Sequence, residues 1–196
     1  MRTKQGAAVL VEQRLSRERT EAYHDARALA LELARGEPLT GFDPMTAGVV
    51  LQPQETVYRQ LPIWIRVLHD GRWAEASHAD VLVTDLRLLL RFATGRLASL
   101  WWSGLVGLHV DLAAEHVVLD FGDGQPVDLS GSYVAPVAVV GIASVYGVET
   151  LLTHPALAPL RTRGSSAARR FASQNHQWGS NPVTADSGYS VVDGCR

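Results

Sequence analysis

Hydrophobic positions change their period twice along this chain. From residue 6 to 35, Val11, Leu15, Ala22, Ala26, Leu29 and Leu33 recur at spacings of three, four or seven, with Glu18 interrupting the stripe. No proline falls in the stretch, and Ala, Leu, Glu, Arg and Gln favour the helix. A long amphipathic helix is predicted over residues 6–35 of an N-terminal segment 1–38, about 45 Å long at 1.5 Å per residue. Gly36 then supplies a C-terminal cap and Pro38 forbids continuation. Residues 39–55 hold Gly41, Pro44, Gly48 and Pro53 and read as a linker.

From Thr56 the period becomes two. Strands are expected at 57–60, 63–69, 81–84, 87–92, 96–102, 105–112, 116–121 and 125–129. Turn signals punctuate them at Asp70-Gly71, Thr94-Gly95 and Gly122-Asp123-Gly124. About seven short strands at close spacing read as an antiparallel sandwich or barrel. After Ser130-Gly131-Ser132 the pattern lengthens again. Residues 134–147 read as a helix with Pro136 in its first turn, a buried strand being the alternative because valines are dense. Residues 159–196 are polar and aperiodic and are expected to be a disordered tail.

Two local motifs sharpen this picture. Leu51-Gln-Pro-Gln-Glu55-Thr-Val-Tyr58 resembles the opening "L-x-x-G-E-x-v" pattern of bacterial PH and GRAM-type domains, with Gln54 in the glycine's place. Leu82-Val-Thr84-Asp85-Leu-Arg87-Leu-Leu89 resembles their "l-v-T-d-x-R-l-l" hairpin. The resemblance implies an α+β fold over residues 49–158. This is an antiparallel pleckstrin-homology-like β-barrel or sandwich of about seven strands, closed by a C-terminal helix; the long N-terminal helix read from periodicity precedes it. It also implies a binding module rather than a catalyst, although folds of this kind are shared more widely than functions.

Composition narrows the function. The 196 residues are 46% hydrophobic, with a formal net charge of -2, which argues against a nucleic-acid binder. Residues 38–158 carry six Arg against twelve Asp and Glu, whereas residues 159–196 carry five Arg against two Asp. The only cysteine, Cys195, excludes an intrachain disulfide and a multi-cysteine zinc site. No segment has the length and apolarity of a membrane span or a signal-peptide core, so a cytoplasmic protein is expected.

Candidate chemistry is sparse. No nucleophile elbow, Walker loop or H-E-x-x-H motif is present. His109, Asp111, Glu115 and His116 form the densest set of metal-ligand types, yet a polar outer strand face accounts for the same alternation. No catalytic residue, metal or cofactor is therefore expected. Trp101 and Trp102, adjacent on a strand, should face opposite sides, leaving one in the core and one available to a partner. Arg59, Arg66 and Arg72 in the early hairpins are the cations an anionic lipid would need. These five residues are the candidate binding positions. The expected function is a non-enzymatic interaction module that binds a protein partner or itself, with anionic-lipid binding as the alternative.

Overall fold

In the computed structural model, residues 2–36 and 42–161 are described. The elements run α1 (Arg2–Arg35), a one-turn α2 (Pro44–Ala47), β1 (Val57–His69), β2 (Arg72–Trp73), β3 (Ser77–Thr84), β4 (Arg87–Phe92), β5 (Leu97–Trp101), β6 (Gly107–Asp111), β7 (His116–Asp120), β8 (Val127–Ser130), α3 (Val134–Tyr146) and a short α4 (Ala158–Arg161). All strand pairs are antiparallel, in the order β5-β4-β3-β1-β8-β7-β6, with β2 attached to the end of β1.

β1 is the hinge of the sheet. Its first half pairs with β3, from Val57 to Ile65, and its second half with β8, from Trp64 to Val67. The sequence suggested two strands broken at Pro62, but the chain runs straight through. β8 pairs only from Trp64 onward, so Pro62 has one side without a ladder partner and its missing N–H costs little there. Along β1, Leu61, Ile63 and Ile65 are buried while Trp64 is exposed. Val81, Val83, Leu88, Leu90, Val117, Leu119, Val127 and Leu129 complete the inner faces.

Helix α3 closes the core, and a strand at this position is excluded. It is buried from Val134 to Ile142 on nearly every side. One side faces the sheet: a Cβ added at Gly141 would lie 3.5 Å from Leu108 and Trp102. The other side is covered by α1, whose Ala22, Ala26 and Leu29 are buried, Ala26 and Leu29 in the same core. The close approach allowed by Gly141 is thus toward the barrel, not toward α1. Polar contacts fix the helix in place. Arg59 Nε donates to Asp25 at 2.7 Å and its Nη2 to Glu32 at 3.0 Å. Tyr23 donates to Leu112 O at 2.8 Å, and Arg19 pairs with Glu115. Upstream, Val9, Leu10, Val11 and Leu15 are exposed, so only the second half of the apolar stripe is covered.

The segment expected to be a linker is a strap across the sheet. Leu82 and Leu89 face away from the barrel interior by strand parity, yet they are 3% and 9% exposed. Beside them, Arg87 Nη2 donates to Val50 O at 2.9 Å and Arg91 Nη1 to Ala47 O at 2.7 Å, which lays residues 47–50 over that face. The boundary at residue 159 also moves. Leu160 is 5% exposed, and its carbonyl accepts a hydrogen bond from Arg27 of α1. The rest of the expected tail, with Cys195, lies outside the described residues.

Candidate interaction surface

The two sequence motifs meet in one buried polar cluster. The Glu55 side chain is fully buried. Its Oε1 accepts Thr84 Oγ1 at 2.8 Å and Arg87 Nε at 2.9 Å; its Oε2 accepts Gln52 N at 2.7 Å and Arg87 Nη2 at 2.9 Å. Asp85 Oδ1 accepts the Thr56 N–H at 2.9 Å, tying the strap to the β3–β4 turn. Burial opposes the charge on Glu55. The Arg87 fork, the Gln52 N–H and the Thr84 hydroxyl outweigh it, and the carboxyl pKa falls below its ordinary 4.5. Gln54, at the position where the resembling pattern has glycine, adopts φ +69°. The site clamps the strap: both Glu55 oxygens and the Thr84 hydroxyl are spent on neighbours, and among the described residues no buried side-chain polar atom lacks a partner.

Of the candidate binding positions, Trp102 and Arg59 serve the fold. Trp102 has left the strand for a one-turn 3-10 helix, is 6% exposed, and donates Nε1–H to Thr84 O at 2.9 Å. The adjacent tryptophans therefore do not alternate on a strand: β5 ends at Trp101. Trp101 lies with its ring 4.5 Å from the Arg87 guanidinium and is 37% exposed. Arg59 is held by two carboxylates of α1.

Arg66 and Arg72 belong to a different surface. β1 sends Trp64 and Arg66 outward because Ile63, Ile65 and Val67 face in. Trp64 is half exposed and meets His78 of β3 edge-on, with 5.2 Å between ring centroids. The Arg66 guanidinium lies 5.0 Å from the ring centroid of Trp73 on β2, itself 39% exposed. Arg66 Nε also donates to Asp128 Oδ2 at 2.6 Å, while Oδ1 of the same buried carboxylate accepts His116 Nδ1 at 2.8 Å. Arg72 stands exposed next to Trp73. The result is a Trp64–Arg66–Trp73 ladder across β1 and β2, with Arg66 held by its ion pair to Asp128.

Trp64 and Trp73 were missed as surface residues because aromatics on strands are usually packed. The signal was available: the unbroken alternation of Leu61, Ile63, Ile65 and Val67 places Trp64 on the opposite face. The metal-type set disperses. Asp111 Oδ1 accepts the Ala113 and Ala114 N–H groups, Glu115 pairs with Arg19, and His116 with Asp128. Among the described residues no group of three or more His, Cys, Asp or Glu is arranged to hold an ion. No described helix is long and apolar enough to cross a membrane.

No protein-family model and no curated protein sequence matches the chain. Among solved structures it is similar to "Vps36 N-terminal PH domain", with 16% identity, over 53% of this chain and 86% of that one, at a TM-score of 0.37. It is by its own strand order, seven antiparallel strands closed by the C-terminal α3, that the chain has a pleckstrin-homology-like fold.

Proposed function

We propose that this protein is a non-enzymatic interaction module, and that it binds a protein partner through the outer face of β1, β2 and β3. The observation that carries this reading is the exposed Trp64–Arg66–Trp73 ladder. Tryptophan and arginine are enriched in binding hot spots: the indole buries much surface with few rotatable bonds, and the guanidinium adds several directed hydrogen bonds. Here their geometry is set before any partner arrives: Arg66 is fixed by Asp128 and Trp73, and Trp64 by His78. The anionic-lipid reading has less support. Arg59 and Arg66 are both neutralised by carboxylates, which leaves Arg72 alone among the three cations it requires.

The test uses the full chain as bait, beside Trp64→Ser and Trp73→Ser variants checked for unchanged melting. A partner that binds the native chain as a purified protein and binds the variants at least about tenfold more weakly supports the reading. Equal binding by the variants sinks it. Sedimentation with phosphatidylserine vesicles, undiminished in both variants, would favour the lipid reading.

A further inference from the structure

We infer that the free edge of β5 is a homodimer interface, in which two copies pair antiparallel about Ser99. β5 ends one side of the sheet, and among the described residues no strand pairs with its outer edge. Phe92 N–H donates to Arg96 O, and Trp102 N–H to Leu86 O, which fixes the phase of the β4–β5 ladder. Residues 96, 98, 100 and 102 are therefore the ones bonded to β4. The N–H and C=O groups of Leu97, Ser99 and Trp101 point to the open edge.

The edge carries none of the devices that keep such edges apart. The strand reads Leu97-Ala-Ser-Leu-Trp101, with no charge, no proline and no bulge. Leu97 and Trp101 are exposed at 54% and 37%, on the same face as Ser99. A two-fold axis through Ser99 sets Leu97 of one copy against Trp101 of the other, and Ser99 against Ser99. All six edge-facing groups of each copy then find partners.

Charge selects the same occupant. From Ser99 to Trp101, β5 borders an open cleft of about 330 Å³ whose other walls include Gly104, Phe121, Asp123 and Val127. In the two-fold pair, Arg96 of one copy falls opposite Trp102 of the other, at the mouth of that cleft, where Asp123 awaits a cation. Among the described residues, the Arg96 side chain rests on the ring of Phe92 alone, and the Asp123 side chain accepts the Gln125 N–H alone. A second copy thus satisfies the backbone edge, the apolar pair and both charges at once.

The experiment is sedimentation equilibrium of the full chain from low-micromolar to near-millimolar concentration. A dimer that dissociates on dilution is expected, since a contact of five residues per side belongs with the small, weak interfaces. Leu97→Glu introduces a charge opposite Arg91 within its own sheet, so it spares the fold, and it should weaken the dimer at least about tenfold. Ser99→Pro removes an edge-facing N–H and should do the same. Arg96→Asp should weaken association, and Arg96→Asp with Asp123→Arg should restore it. Trp64→Ser, on the partner-binding face, should dimerise like the native chain. A native chain that stays monomeric overturns the inference and leaves the edge to an extended segment of another protein. Folded Leu97→Glu and Ser99→Pro variants with unchanged association, or loss of the dimer in Trp64→Ser, overturn it as well.

Discussion

Removing the carboxylate of Glu55 should be among the most damaging single changes in this protein. The side chain has no exposure and accepts four hydrogen bonds, two of them from the guanidinium of Arg87, whose own side chain is 9% exposed. Glu55→Ala leaves that cation buried without its partner, a situation that costs roughly 3–5 kcal/mol. It also frees the Gln52 N–H and loosens the strap over Leu82 and Leu89. Each leucine returned to water adds about 1.5–3 kcal/mol, which sets the upper end of the loss. Set against a total stability of about 5–15 kcal/mol, the variant should unfold at markedly lower urea. A double-mutant cycle with Arg87→Ala isolates the pair, and a coupling near the top of the usual range, about 2–3 kcal/mol, is expected. A Glu55→Leu, Arg87→Met double variant should recover most of the loss, because neither charge is then stranded. If Glu55→Ala costs under about 1 kcal/mol, or the two alanine changes simply add, the clamp does not hold the strap and the reasoning fails.

Three further outcomes can be checked by denaturation. Because the Glu55 pKa is depressed in the folded state, the clamp stabilises above the ordinary value of 4.5, and its contribution should drain away as pH falls below it; a Glu55→Gln variant should show a flatter acid limb, and identical limbs would contradict the assignment. At Gln54, where φ is +69°, glycine relieves about 1 kcal/mol of strain but adds a similar unfolded-state entropy, so Gln54→Gly should be near neutral while Gln54→Val destabilises by more than about 1 kcal/mol; equal losses would deny the strain. Leu160→Ala should cost about 2–4 kcal/mol, measured by melting, since this side chain is packed beneath α1; a silent substitution would return it to the tail.

Periodicity carried most of the architecture. The inward set of β1 follows from spacing, because burial on one face imposes it, and the hairpins at Asp70-Gly71 and Thr94-Gly95 follow from their turn residues; the segment after Ser132 was open between helix and strand, because α3 is buried on nearly every side and shows no polar face. Residues 42–55 defeated that reading. Their glycines and prolines describe a chain without regular structure, and nothing in a period reveals that such a chain lies on a sheet. The visible trace was the doubly apolar outer face: Leu82 and Leu89 sit between inward Val81, Val83, Leu88 and Leu90, so both faces of β3 and β4 need cover. Arg59 and Arg66 looked like free cations because their partners, Asp25, Glu32 and Asp128, lie 34, 27 and 62 residues away. The ladder on the outer face was legible in parity and obscured only by the habit of aromatics to pack.

The seating of α1 bears on how the chain is made. This helix is synthesised before the barrel, and the surface it covers appears only after the barrel strands. Its contacts with Leu112, Glu115 and Leu160 span 89, 96 and 133 residues. At a synthesis rate of about 5–20 residues per second, Ala22, Ala26 and Leu29 wait about 5–25 seconds for α3. During that interval the apolar positions of the nascent helix have no seat. A protein fused to the N-terminus emerges earlier still and can fold before the barrel closes. A fusion joined just beyond Leu160, in place of the residues that follow, must leave that leucine free to reach its place.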